Sequence, residues 1–269
     1  MGTKSTKLLS WVESEVRKCR PIALRYFCAS SLSVTRKKDG SPVTDADRAI
    51  EERLRRSFKR AFPGESILGE EFGASGYNRS DYWTIDPIDG TRAFSRGLPS
   101  WGIMVGRVEN GRPALGVVDY PVVNTTITGW ASGSAHERNG SGLRRLARAK
   151  PVGALRDSVV FHGGSNWWQG TGYEQGFARL VKSCFLERAY GDCYGYLWLL
   201  RGFADVVLDY GVKPWDVVPL AALAQATGRI MTDFSGREHF TGPETVMAHP
   251  TFARQVCGLL RSRGRGRSR

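Results

Sequence analysis

Two aspartates three residues apart, Asp86 and Asp89, stand in the middle of the stretch DYWTIDPIDGTRAF, Asp81 to Phe94. Pro87 follows Asp86, Gly90 and Thr91 follow Asp89, and an apolar run leads into both. Hard divalent cations such as Mg²⁺ take carboxylate, carbonyl and water oxygens in preference to imidazole or thiolate. The Asp86-x-x-Asp89 spacing lets both carboxylates turn toward one centre, and the backbone carbonyl of Ile88 can turn with them. Gly90-Thr91 would then open a helix through RAFSRG, whose free N–H groups and positive dipole end suit a phosphate. Further acids lie at Asp45 and Asp47, Glu70 and Glu71, and Asp216, mostly where an apolar run ends or a helix begins. Taken singly, each has a plainer reading: a capped turn for D-x-x-D-G-T, a solvated pair for Glu70-Glu71, a helix N-cap for Asp216. Their joint occurrence in this order weighs toward a shared cation site.

The elements that must position these acids can be read from periodicity. Residues 7–30 read as a helix, with Pro21 the place for a break, and a polar loop follows. Thr44 and Asp47 have capping-box spacing, and Ala46, Ile50, Leu54 and Phe58 then recur every four residues as an amphipathic face should. SILGEEFG is a short apolar run finishing in acids, and DYWTID is the next strand. WGIMVGRVENGRPALGVVDYPVVNTTITGWA reads as three strands. Residues 132–150 form a basic, glycine-rich connector, the best candidate for a domain boundary. Beyond it DSVVFHGG is strand-like, YEQGFARLVKSC helical, and FLERAYGDCYGYLWLLRGFADVVLDY gives strand, helix and strand. PWDVVPLAALAQATG is a helix entered through a proline and ended at Gly228. Long helices alternating with strand groups indicate a layered α/β or α+β architecture.

A chain of 269 residues, 41% hydrophobic and 24% charged, can bury a large core. No window reaches the roughly 18 uninterrupted apolar residues of a membrane helix. Residues 1–20 lack the apolar region and cleavage site of a signal peptide, so cytoplasm is the expected compartment. The five cysteines are scattered and include no C-x-x-C, which speaks against both a disulfide framework and a structural zinc site. Five arginines in the last nine residues, RSRGRGRSR, contribute to the net charge of +13. That tail has no apolar residue to bury and is expected to be disordered. Any nucleic-acid contact is expected there, although a solvated extension is the plainer reading.

GEEFG, WTIDPIDGTRAF and PWDVVPLAALAQATG resemble the three signatures of the inositol monophosphatase superfamily, and KKDGSPVTDADRAIEE resembles its upstream counterpart. The resemblance covers most of the chain, about residues 37–236. It implies an α/β (α+β) layered sandwich of alternating helix and sheet layers, a magnesium-dependent phosphomonoesterase with two or three Mg²⁺ per active site, and a homodimer. Matched position by position, Glu70, Asp86 and the Ile88 carbonyl would hold one ion. Asp86, Asp89 and Asp216 would surround a second, with Glu71 nearer the periphery. Asp47 and Thr91 match the pair that orients and deprotonates the attacking water, so they and Glu70 count as catalytic. The N–H groups of Gly90 and Thr91 would hold phosphate oxygens. The expected division is an N-terminal domain over 1–145 with most metal ligands, a C-terminal domain over 146–260 with Asp216 and substrate contacts, and the tail 261–269.

Phosphate-ester hydrolysis accumulates charge on the non-bridging and leaving oxygens, which paired metal ions can stabilise without a covalent nucleophile. A chain with no G-x-S-x-G elbow fits that chemistry. The four histidines lie outside the motifs and read as structural or surface residues. GDCYGYL, PWDV and SRGLPSWG look closest to the histidinol-phosphate phosphatase branch of the superfamily. Its substrate carries an ammonium and an imidazole, which Asp192 and Asp209 would favour, with Asp89 and Asp216 also bordering the substrate. The alternatives are phosphatases of the same superfamily acting on inositol 1-phosphate, fructose 1,6-bisphosphate or a 3′-phosphonucleotide, and more distantly a non-catalytic member binding metal or nucleic acid.

Overall fold

The computed structural model describes residues 3–261 apart from 31, 38, 39, 77 and 152. Two helices, α1 (Thr3–Arg17) and α2 (Arg20–Tyr26), stand where one was expected. Pro21 lies in the first turn of α2, where its missing N–H is not needed. The loop that follows carries a small antiparallel hairpin, β1 (Val34–Arg36) and β2 (Pro42–Thr44). α3 (Asp45–Ala61) starts as its spacing predicts: the N–H and the hydroxyl of Thr44 donate to Asp47 Oδ2 at 2.8 and 2.5 Å. Ala46, Ile50, Leu54 and Phe58 are buried along one face.

An eight-stranded sheet follows, built from β3 (Ser66–Gly69), β4 (Gly73–Ser75), β5 (Tyr82–Asp89), β6 (Gly102–Glu109), β7 (Arg112–Tyr120), β8 (Thr125–Trp130), β9 (Ala135–Asn139) and β10 (Gly142–Arg145). Its order is β10-β9-β8-β7-β6-β5-β3-β4, antiparallel except where β3 meets β5. Between β5 and β6 a single turn, α4 (Thr91–Phe94), replaces the longer helix expected through RAFSRG, and the chain then turns at Gly97 with φ +72°. Ile103 and Val105 pack with α1 to α3, while Met104 between them faces the other way. Strands β9 and β10 occupy the stretch read as a connector. Ala135 and Glu137 of β9 are both buried. An acid in that inward place removes the apolar alternation by which a strand is recognised.

The C-terminal half supplies β11 (Val159–His162), α5 (Glu174–Ser183), β12 (Leu186–Arg188), α6 (Asp192–Arg201), β13 (Val206–Tyr210), α7 (Pro214–Ala226), β14 (Ile230–Thr232), β15 (Glu244–Ala248) and α8 (Pro250–Arg261). Its five strands lie in the order β12-β11-β13-β15-β14. Val206, Leu208 and Val246 pack under α5 and α8, while Val207 and Met247 face α6 and α7. The layers therefore run α1–α3, eight-stranded sheet, α6–α7, five-stranded sheet, α5–α8. This is the layered α/β sandwich the sequence implied.

Covered on both sides, α7 is apolar around its circumference, with Val217 through Ala224 buried. Its close approach to the first sheet depends on missing side chains. Gly106 and Gly116 are cross-strand partners. A Cβ on Gly116 would stand 2.1 Å from the Pro219 carbonyl oxygen, and one on Gly106 2.8 Å from the Pro219 nitrogen. Bare backbone thus seats α7 on the sheet and delivers Asp216, in its first turn, to the end of β5. Among the described residues no helix is long and apolar enough to cross a membrane. Arg261 closes α8, and the rest of the arginine-rich tail, 262–269, lies outside the described residues.

Candidate active site

β5 and β6 lose register between Asp86 and Asp89. A bulge of this kind bends a strand and re-aims its side chains. Here it accompanies the meeting of Asp86, Asp89 and Asp216, whose carboxylates each offer one oxygen within 4.8 Å of the others. Asp89 Oδ2 accepts the N–H of Cys193 at the start of α6. Asp216 Oδ2 accepts the Lys213 N–H at 2.8 Å, capping α7. Among the described residues the buried Asp86 Oδ1 has no hydrogen-bond partner.

Burial, then the charges of Glu70, Asp89 and Asp216, push Asp86 well above the carboxylate range. Burial and the charges of Asp192 and Asp216 do the same to Asp89. Asp216 is pushed up to about 7, chiefly by burial. Like charges buried together with an orphaned acceptor are unfavourable unless a cation joins them. An all-oxygen donor set suits a hard divalent ion. The residues present therefore fit the metal that the sequence implied.

Thr91 ties the water-activating pair to this cluster. Its hydroxyl lies 2.9 Å from the Ile88 carbonyl oxygen and 3.3 Å from Asp47 Oδ1. Burial raises Asp47 to about 6, against the lowering effect of its bonds from Thr44. The preceding Gly90 has φ +88°, and a Cβ there would come 2.7 Å from the Ser100 carbonyl oxygen, so only glycine fits the turn.

Glu70 stands outside the three-carboxylate cluster. Its Oε1 is 2.7 Å from Lys37 Nζ, which also reaches Glu71 Oε1 at 2.6 Å. Lys37 comes from the connection between β1 and β2 and opens the KKDGSPVTDADRAIEE stretch, in which only Asp47 was given a role. Burial draws Lys37 down, but the two carboxylates outweigh it and raise it. Glu71 is pushed up to about 7 by burial.

The metal-facing cavity opens into a second of about 400 Å³, lined by Asp89, Asp192, Asp209 and Asp216 on its acidic side. Asp192 begins α6 at φ +54°, a left-handed conformation uncommon for a residue with a side chain. Burial raises it to about 6, opposed by the charge of Arg92. Asp209 Oδ1 accepts the Tyr210 N–H at 3.0 Å, while burial and the charge of Asp192 raise it well above the usual range. Arg92, Trp167 and Tyr196 also line this cavity and were not foreseen. The available signals were an arginine inside the DGTRAF turn and two adjacent tryptophans after a diglycine. None of the four histidines lines either cavity. His162, for one, is buried with Nε2 2.5 Å from Glu187 Oε1.

The model of the inositol monophosphatase family matches residues 6–263. A histidinol-phosphatase from Mycobacterium tuberculosis is 33% identical over 213 residues, covering 78% of this chain and 81% of the relative. A histidinol-phosphatase from Chlorobaculum parvum is 31% identical over 244 residues, covering 90% and 92%. Among solved structures, an IMPase from Thermotoga maritima superposes with a TM-score of 0.82 at 26% identity, covering 94% of this chain and 96% of that one.

Proposed function

Because this chain belongs to the inositol monophosphatase family and is a phosphatase of that family, we propose that it is a Mg²⁺-dependent phosphomonoesterase acting on histidinol phosphate. The observation that carries the reading is the cluster of a buried Asp86 and the half-buried Asp89 and Asp216, whose Asp86 Oδ1 has no hydrogen-bond partner among the described residues, opening on the two acids Asp192 and Asp209. The likeness to two histidinol-phosphatases supports the choice of ester.

Asp86, Asp89 and Asp216 would hold the ions, two or three in number, together with Glu70 and the Ile88 carbonyl. When bound, such ions lower the pKa of an attacking water and neutralise charge on the phosphoryl and leaving oxygens. The Thr91 hydroxyl, 3.3 Å from Asp47 Oδ1, would orient the attacking water, taking up the water's proton as it hands its own to Asp47. A carboxylate raised to about 6 accepts a proton near neutral pH better than an ordinary one. The N–H groups of Gly90 and Thr91 hold phosphoryl oxygens. Asp192 and Asp209 receive the nitrogen-bearing alcohol.

A panel of phosphate esters compared by kcat/KM in Mg²⁺ tests the choice. Histidinol phosphate should lead inositol 1-phosphate by at least about tenfold, or ~1.4 kcal/mol. Parity, or a lead by inositol 1-phosphate or fructose 1,6-bisphosphate, would move the assignment to another ester. We propose in addition that the chain works as a homodimer in the cytoplasm, and sedimentation of the purified chain checks the first of these.

A further inference from the structure

The cavity beyond the acids has one wall that the phosphatase chemistry does not use. A short turn at Ser165–Trp168 carries two tryptophans that point in different directions. Trp168 is buried and stacks on Phe177 and Phe234, with ring centroids 4.2 and 5.2 Å away. Trp167 instead lines both the metal-facing cavity and its neighbour.

Its indole lies against bare main chain. A Cβ on Gly163 would stand 2.7 Å from Trp167 Cε3 and 2.2 Å from Asp209 Oδ1, and one on Gly164 would stand 3.7 Å from the indole nitrogen. Gly163, after β11, therefore lets the indole and the Asp209 carboxylate converge where no side chain could stand between them. Gly191, just ahead of Asp192, closes on the same point: a Cβ there would meet Gly163 Cα at 2.7 Å. Gly163 and Gly191 thus bring an aromatic ring and two carboxylates to one side of the cavity. The ring also faces a planar cation already, since the guanidinium carbon of the exposed Arg92 lies 6.0 Å over it.

We propose that Trp167 is a specificity residue whose indole face takes the imidazole of the leaving alcohol, while Asp192 and Asp209 take its ammonium. The proposal rests on the histidinol-phosphate reading given above. An aromatic face attracts a flat, delocalised nitrogen ring, neutral by stacking and charged by cation–π attraction. A saturated polyol ring offers it neither. A ring held between Trp167 and Arg92 needs two contact distances of about 3.5 Å each, so Arg92 yields by about an ångström, which its exposed position permits.

The test compares wild type with Trp167→Ala and Trp167→Phe in Mg²⁺, on histidinol phosphate and on glycerol 2-phosphate, which has neither ring nor amine. The ratio of kcat/KM for the two esters should fall at least about tenfold in Trp167→Ala. The loss should appear in KM, with a matching rise in the inhibition constant of the product histidinol, and Trp167→Phe should restore most of it. Equal losses on both esters, or an unchanged ratio and unchanged inhibition by histidinol, would overturn the role of Trp167 and leave the substrate assignment standing. A wild-type enzyme with no preference for histidinol phosphate over glycerol 2-phosphate would overturn both.

Discussion

Buried carboxylates meet two opposite surroundings in this protein. Glu137 on β9 is 1% exposed, and it accepts from Arg201 at 2.8 Å, from Arg144 and from Asn139. Burial alone would raise it, but these donors outweigh burial and hold it below the ordinary glutamate value. Asp86 is as deeply buried and Asp89 and Asp216 half-buried beside it, yet among the described residues their partners are backbone N–H groups, one another, or nothing. A fold that balances a buried acid with arginines at one place can do so at another. Where it withholds the arginine, stability is given up for a charge that must come from outside.

Replacing one acid in each place should therefore act with opposite signs, and the larger effect belongs to the site. Asp86→Asn should lower Mg²⁺-dependent phosphate release at least about a hundredfold, the scale on which loss of one group stabilising transition-state charge is felt. The same change removes a charge from a cluster of like charges, so in EDTA its melting temperature should equal or exceed that of wild type. A metal-free variant that melts well below wild type would mean that Asp86 is structurally paired, and the contrast with Glu137 would fail.

Adding the missing charge is the second way to probe the contrast. Magnesium at about a hundredfold over its dissociation constant should stabilise the wild type by about 2.7 kcal/mol, or a rise of about 5–10 °C for a chain of this size. The Asp86→Asn protein should lose most of that rise, whereas a variant at Glu137 should keep it. An equal response from both variants in differential scanning fluorimetry would show that the ion binds elsewhere.

The site also depends on a helix brought unusually close to a sheet. Gly116→Ala puts a methyl 2.1 Å from the Pro219 carbonyl oxygen, and overpacking of this kind costs about 1–3 kcal/mol. Because Asp216 lies one turn ahead of Pro219, displacement of α7 should weaken the response to Mg²⁺ as well as lower the melting temperature. A Gly116→Ala protein that is destabilised but binds Mg²⁺ as tightly as wild type would separate the packing of α7 from the assembly of the cluster.

How much of this was legible in the sequence follows from where each residue gets its meaning. Asp86 and Asp89 stand at a strand end before a glycine turn, Asp47 in a helix start and Asp216 behind a proline, and those local patterns survive in one dimension. The layered architecture was legible for the same reason, because α3, β5 to β8 and α7 carry strong periodicity or continuous apolarity. Lys37 opens the stretch that resembles the family's upstream counterpart, yet its reach to Glu70 and Glu71, like the place of Trp167, emerges only when a hairpin and a diglycine turn fold over the site. Glu137 misled more actively. Its inward acid is explained by Arg201, 64 residues away in the chain, so β9 looked like a polar connector.

The smallest effect is expected at Glu137 itself, where the sign with pH distinguishes the two surroundings. Glu137→Gln keeps the size and loses the charge-assisted bonds to Arg144 and Arg201, which should cost about 2 kcal/mol at neutral pH, or about 4–8 °C. The folded-state value of Glu137 lies below its ordinary 4.5, so its contribution is complete above the unfolded value and disappears as pH falls through the folded one. The gap in melting temperature between wild type and Glu137→Gln should thus hold from pH 8 to about 5 and shrink below about 4.5. The acids of the site are raised instead, so their protonation would stabilise the metal-free fold as the pH falls. A Glu137→Gln gap that widens on acidification would place this residue with the site acids rather than opposite them.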